Sequence, residues 1–227
     1  MKPPSSMQTS EFDSSDEEPI EDEQTPIQIS WLPLSRVNCS QFLGLCALPG
    51  CKFKDVRRNI QKDTEELKSY GIQDIFVFCT RGELSKYRVP NLLDLYHQYG
   101  IIPHHHPIPD GGTPDITSCC EIMEELEICL KNNRKTLIHC YGGLGRSCLA
   151  ACLLLYLSDT VSPQQAIDSL RDLRGSGAIQ TIKVRRVTVL MRLWLGTNCH
   201  SATRPQRGHE NPKHPVIHVS PVFILTF

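Results

Sequence analysis

Between residues 136 and 157 the chain passes from an apolar run, TLIHC, through a turn carrying three glycines, YGGLGRS, into nine consecutive apolar residues, LAACLLLYL. A short β-prone run, a glycine turn and a continuous apolar segment predict a buried strand, a tight loop and a central helix. The helix, apolar on every face, has to be enclosed by other elements. The same alternation recurs upstream. Apolar runs at 42–48, 75–79 and 101–105 read as further strands. Amphipathic stretches separate them: Val56, Ile60, Thr64 and Leu67 share one helical face that stops at Gly71, and Ile116, Cys120, Met123, Leu126 and Leu130 share another, with Thr113 and Pro114 as its cap and first turn. Pro163 opens one more helix, to about Arg174, ended by Gly175 and Gly177. This rhythm predicts an α/β domain with a central, mostly parallel sheet flanked by helices.

Charge is distributed by segment. Residues 1–23 contain eight acids and one Lys, residues 24–183 contain 16 acids and 17 bases, and residues 184–227 contain one acid and six bases. The acidic start has almost nothing to bury, so 1–26 is expected to be a disordered acidic tail. Ser14 and Ser15 there, followed by Asp16, Glu17 and Glu18, offer a context for acid-directed phosphorylation. The folded domain is expected over 27–195, with Ile182, Arg186, Leu190 and Trp194 along one face of a last helix. A proline- and histidine-rich tail, expected to be disordered, follows over 196–227. The balanced middle argues against a nucleic-acid-binding core. The apolar run Leu149–Leu157 falls far short of the ~20 residues needed to span a bilayer. Eleven cysteines, an odd number, behind an opening without an apolar signal core predict a reducing compartment, cytoplasmic with a perinuclear or nuclear alternative.

The chemistry sits in His139-Cys140-Tyr141-Gly142-Gly143-Leu144-Gly145-Arg146-Ser147. A strand, a glycine turn and a helix N-terminus form an anion cradle from backbone N–H groups and the helix dipole. A thiol at its base, beside a cation, is poised to act as a thiolate nucleophile. Arg146 can hold two phosphate oxygens bidentately. The spacing of a nucleotide-binding P-loop, G-x-x-x-x-G-K-[ST], is absent. A poor alkoxide leaving group also requires a proton donor. The loop after the strand at 101–105 reaches the same sheet edge and carries Asp110. Asp115 is the competitor, but a helix first turn explains an acid there.

The H-C-x5-R-S pattern resembles the active-site loop of the cysteine-dependent protein phosphatases, in their dual-specificity branch. Together, YHQYGIIPHHHPIPDGGTPD, LIHCYGGLGRS and LRGSGAIQTIK resemble the kinase-associated phosphatases over about residues 1–183. This resemblance implies that Cys140 attacks phosphorus and that Arg146 and the loop amides from Tyr141 to Arg146 bind the phosphoryl oxygens. Asp110 then serves as general acid, Ser147 stabilises the leaving sulfur, and His139 supports the loop. Gln180 matches the family's glutamine-bearing segment. No metal or cofactor is implied. The implied substrate and partner is a phosphorylated cyclin-dependent kinase, met by a monomer with no nucleic acid or membrane partner. Tyr141 and Leu144 are uncharged where similar lipid phosphatases carry lysines, which favours a phosphoprotein.

After Lys183 the resemblance ends, and the sequence reads as an altered C-terminus. An alternative therefore stands beside the enzyme: a catalytically impaired variant that captures the phosphorylated kinase. Two further readings attach to other residues. Cys79, at the end of a strand beside Cys140, could pair with it on oxidation. His104, His105 and His106 suggest zinc, but neighbours on a strand point to opposite faces and cannot readily share one ion.

Overall fold

The computed structural model describes residues 24–179 and 182–198, apart from the side chains of Cys148, Ile182, Val184 and Asn198. Gln180, the two predicted tails and the serines at 14 and 15 lie outside these residues, except that 24–26 and 196–198 are described. In chain order the elements are β1 (Ser30–Pro33), β2 (Phe42–Cys46), β3 (Lys52–Phe53), β4 (Val56–Arg57), α1 (Ile60–Ser69), β5 (Asp74–Val77), α2 (Arg81–Lys86), α3 (Leu92–Gln98), β6 (Ile102–His105), α4 (Ile116–Lys131), β7 (Thr136–His139), α5 (Leu149–Leu157), α6 (Pro163–Arg174) and α7 (Ile182–Asn198).

Five strands form one sheet in the order β1-β2-β7-β5-β6. All neighbours are parallel except β1, which runs antiparallel to β2. Strand period divides the apolar runs between two cores. Leu43, Leu45, Phe76 and Ile138 face α4, α5, α6 and α7, whereas Ile75, Val77 and Leu137 face α1, α2 and α3. Burial on both faces explains why these strands read as continuous apolar runs rather than alternating ones. In α5, Leu149 through Leu155 are all buried, as expected of an all-apolar helix, and each leucine contributes about 2 kcal/mol by leaving water. α6 starts at Pro163 under a capping box between Ser162 and Gln165 and ends at Gly175.

Several boundaries differ from the sequence reading. Val56 belongs to a two-residue strand and is exposed; α1 begins only at Ile60, where the Asn59 side chain accepts from the Gln61 and Lys62 amides. The cap of α4 is Asp115, which accepts from Ser118 N, so Thr113 and Pro114 precede the helix. In α7 the inward residues are Val187, Thr188 and Met191, while Leu190 and Trp194 are exposed. Here the apolar residues encircle the helix, and packing on α5 selects the face. The sheet also extends further towards the N-terminus than the pattern beginning near residue 41 indicated, through β1.

Candidate active site

The parallel strands deliver their next residues to one edge of the sheet. β7 ends at His139 and Cys140 follows, with its thiol buried at the base of the glycine loop. β5 leads to Thr80 and α2, and β6 leads to the loop holding Asp110.

The loop is held from outside by its carbonyls. Leu48 N donates to Tyr141 O at 2.9 Å, and Ile179 N donates to Leu144 O at 3.3 Å. Arg174, on the last turn of α6, donates from Nη2 to Gly142 O and from Nε to Gly143 O, both at 3.3 Å, and from Nη1 to Ser30 Oγ at 3.0 Å. With four successive carbonyls engaged outside, the loop's N–H groups are left for an anion above Cys140. Gly143 has φ +67°, and a Cβ there would lie 2.4 Å from Cys46 O and 2.7 Å from Arg174 Nη2. Only glycine fits this close approach.

Arg146 is buried and fixed on several sides. Its Nη1 donates to Glu83 Oε2 at 2.8 Å and to Ile108 O at 2.9 Å, and its Nη2 lies 3.4 Å from Asp110 Oδ1. Glu83 was not singled out by sequence reasoning. Its carboxylate also caps α2, with Oε2 accepting from Thr80 N at 2.8 Å while Thr80 Oγ1 accepts from Glu83 N at 3.2 Å. Burial pushes the Glu83 carboxyl up, but the bonds from Arg146 and Thr80 outweigh it and hold the group below its ordinary range. The Thr-x-x-Glu spacing after a strand, a capping-box signature, was the signal that could have marked it. Arg174 carried no comparable signal, because its partners lie about thirty residues away.

Asp110 occupies a β-turn in which Gly112 N donates to Pro109 O at 2.8 Å and Gly111 takes φ +70°. Its carboxylate is 75% exposed yet reaches Arg146, so a substrate can meet it from solvent. Asp115 faces the α4 N-terminus instead, its carboxyl lowered chiefly by the Ser118 amide. Ser147 Oγ donates to Cys140 Sγ at 3.5 Å. His139 is fully buried, with Nε2 3.1 Å from the Tyr96 hydroxyl, and burial pushes its pKa down to about 3, so the ring is neutral. Tyr141 stacks on Tyr87 at 4.3 Å and meets Phe53 edge-on at 6.0 Å, forming an aromatic wall beside the loop, while Leu144 is exposed at its rim.

The structure therefore brings together Cys140, Asp110, Arg146, Ser147, His139 and the loop from Tyr141 to Gly145, and it adds Glu83 and Arg174. Gln180 falls outside the described residues. Cys79 is also buried at this edge, and burial pushes its thiol up to about 12. A thiol held protonated is a slow partner for disulfide exchange. Of the three histidines, His105 Nε2 lies 2.9 Å from Cys79 O, whereas His104 and His106 turn to the opposite face and meet Glu125.

This arrangement can bind a tetrahedral dianion over a sulfur nucleophile, with an acid at its rim. The family model for Cyclin-dependent kinase inhibitor 3 (CDKN3) matches residues 1–167. Cyclin-dependent kinase inhibitor 3 of Sus scrofa is 95% identical over 184 residues, 81% of this chain and 87% of the relative. The Homo sapiens protein of that name is 91% identical over 184 residues, with the same shares covered. A crystal structure of kinase associated phosphatase (KAP), with serine replacing its catalytic-site cysteine, Cys140, aligns with a TM-score of 0.75 at 84% identity. The alignment covers 77% of this chain and 98% of that one.

Proposed function

The chain belongs to the cyclin-dependent kinase inhibitor 3 (CDKN3) family and is a cysteine-dependent phosphatase; from that premise we propose that it dephosphorylates a phosphothreonine, phosphoserine or phosphotyrosine of a cyclin-dependent kinase, at the activation loop. The observation that carries this reading is the placement of Arg146 between Glu83 and Asp110 at the mouth of the Cys140 loop.

In the first step the Cys140 thiolate attacks phosphorus. An S–P bond forms as the P–O bond to the substrate breaks, and Asp110 passes its proton to the departing oxygen. Arg146 and the loop amides take up the charge on the three phosphoryl oxygens. In the second step Asp110, now a carboxylate, accepts a proton from a water that attacks phosphorus. The S–P bond then breaks, and the Ser147 hydroxyl donates to the sulfur as negative charge returns to it. These steps require no metal or cofactor. His139, neutral and hydrogen-bonded to Tyr96, supports the loop base and is not a proton carrier.

Three observations favour a phosphoprotein substrate. Tyr141 is committed to an aromatic wall with Tyr87 and Phe53, and Leu144 leaves the rim without a cation of its own, so the loop lacks the charge that a polyanionic inositol head group would need. The relatives' name ties them to cyclin-dependent kinases, and kinase association is likewise in the name of the similar solved protein. We place the enzyme in the cytoplasm or nucleus as a monomer whose partner is the phosphorylated kinase. Release of phosphate from an aryl phosphate and from phosphorylated kinase tests the reading. Cys140→Ser is expected to abolish turnover, and Asp110→Asn to lower it about a hundredfold or more. Turnover surviving in Cys140→Ser overturns the mechanism. Equal kinase capture by wild type and Cys140→Ser with no phosphate released by either identifies a binding module instead.

A further inference from the structure

Asp74, His104 and Cys129 come from β5, β6 and α4, and one ligand atom from each lies within 4.8 Å of the others. They meet at the N-terminal side of β5, away from the strand ends that carry Cys140 and Asp110. His104 Nε2 is the focus: it lies 2.9 Å from Asp74 Oδ1 and 3.9 Å from Cys129 Sγ. Its other nitrogen, Nδ1, is 3.3 Å from Glu125 Oε2. Asp74 and Cys129 are buried, and His104 is part-exposed at 21% of its side chain.

A neutral imidazole has one N–H, and here both ring nitrogens face carboxylates. A cation on Nε2 with the proton on Nδ1 satisfies both contacts. This is also the usual arrangement of a metal-bound histidine, whose second nitrogen donates to a carboxylate that fixes the ring. The ring is further oriented by Phe76, stacked at 4.3 Å and 6°. Arg134 Nε holds the far oxygen of Asp74, Oδ2, at 2.5 Å, which leaves Oδ1 turned to the cluster.

We propose that Asp74, His104 and Cys129 form a zinc-binding site, with water in the fourth position and Glu125 holding His104 from behind. Thiolate with imidazole selects a borderline-soft divalent ion over calcium or magnesium. Zinc bonds of ~2.0–2.3 Å in a tetrahedron put ligand atoms about 3.4–3.6 Å apart. The His104–Asp74 pair would widen by about half an ångström and the His104–Cys129 pair would close by a few tenths, which side-chain rotation supplies. On binding, the Cys129 thiol proton passes to solvent as the S–Zn bond forms. The ion would join β5, β6 and α4.

The test uses the full chain with Cys140→Ser, which removes the active-site thiol as a competing ligand, after stripping with EDTA. Zinc titration should give one tight equivalent and, at a hundredfold excess over Kd, raise Tm by about 5 °C or more. Cobalt should give a near-ultraviolet thiolate charge-transfer band. His104→Gln and Cys129→Ser should each weaken zinc binding at least tenfold, and Glu125→Gln about tenfold. The proposal is overturned by the absence of the cobalt band, which would leave the hydrogen bonds of His104 to Asp74 and Glu125 as the whole account of the cluster. Zinc affinity unchanged in His104→Gln or Cys129→Ser, the mark of an adventitious ion elsewhere, overturns it equally. If a core replacement does not fold, Glu125→Gln, on a half-exposed side chain, decides, and unchanged affinity there counts against the site.

Discussion

Arg146 Nη1 lies 2.8 Å from Glu83 Oε2, a part-buried pair joined across 63 residues of sequence at the mouth of the Cys140 loop. The carboxylate is itself fixed by Thr80 at the N-terminus of α2. The guanidinium is thereby aimed before any phosphate arrives, and a helix cap becomes part of the catalytic geometry.

Removing that aim should cost turnover more than folding. Glu83→Ala takes the carboxylate partner from Arg146 while its bonds to the Ile108 and Phe78 carbonyls and its approach to Asp110 persist. It removes only the Glu83 half of the α2 capping box, worth less than about 1 kcal/mol because Thr80 Oγ1 still accepts from the amide of residue 83. A misplaced guanidinium costs up to about a hundredfold in rate. We expect kcat for aryl phosphate hydrolysis to fall 10- to 100-fold in Glu83→Ala and less in Glu83→Gln, which can still accept from Arg146. Steady-state kinetics with unchanged circular dichroism checks this, and wild-type kcat in Glu83→Ala removes Glu83 from the site.

Gly143→Ala should disable the loop. The added methyl would meet Cys46 O at 2.4 Å and Arg174 Nη2 at 2.7 Å, at a φ of +67° that L side chains rarely adopt. The backbone has to shift, and the outward hydrogen bonds of Gly142 and Gly143 to Arg174 shift with it. We expect kcat/KM to fall at least a hundredfold, with a loss of about 2 kcal/mol or more in urea unfolding. Arg174→Lys, which keeps charge but not the fork, should show a milder version of the same defect, about tenfold. Activity within twofold of wild type in Gly143→Ala contradicts this packing.

The strands were legible because parallel strands buried on two faces leave unbroken apolar runs, and 75–79 and 136–140 lie within two residues of β5 and β7. Cys140, Arg146 and Asp110 were legible through local spacing. Short elements were not: β3, β4, α2 and α3 are two to seven residues long, below what periodicity resolves, and tertiary contacts hold them. Arg174 acts on the loop across a distant stretch of chain, which no spacing rule captures, and the Thr80-x-x-Glu83 spacing marks Glu83 as a helix cap but not as the partner of Arg146. The inward face of α7 was misread because Val187, Leu190, Met191 and Trp194 surround the helix, so only its neighbours decide which side is buried. Likewise the strand alternation that separates His105 from His104 gave no sign that Asp74 and Cys129 would meet His104.

Stability should fall with acid through His139. Its folded pKa of about 3 is depressed by burial from an ordinary value of 6.5. The unfolded chain therefore binds a proton that the folded one refuses, and the contribution present above pH 6.5 is lost as pH falls towards 3. Between pH 7.5 and pH 5 the loss is about 2 kcal/mol at 1.36 kcal/mol per unit. Urea unfolding at both pH values should show wild type losing about 2 kcal/mol more than His139→Asn, which cannot titrate. Equal losses in the two proteins would assign the acid sensitivity to other groups.

The last described helix should be part of the folded unit. Met191 is fully buried, with its sulfur 3.9 Å from Cys120 Sγ on α4, and Val187 and Thr188 lie on the same inward side against the core built on α5. Truncating a buried methionine to alanine costs about 2–5 kcal/mol in a packed core and far less on a loosely docked helix. Leu193, 61% exposed on the outer side, provides the internal control, with an expected change within about 0.5 kcal/mol. Because 1 kcal/mol shifts Tm by about 2–4 °C in a domain of this size, Met191→Ala should melt at least about 4 °C below wild type and Leu193→Ala within about 2 °C of it. Both variants should keep near-wild-type turnover at low temperature, since neither touches the Cys140 loop. Equal melting of Met191→Ala and wild type would mean that the α/β core is complete without α7.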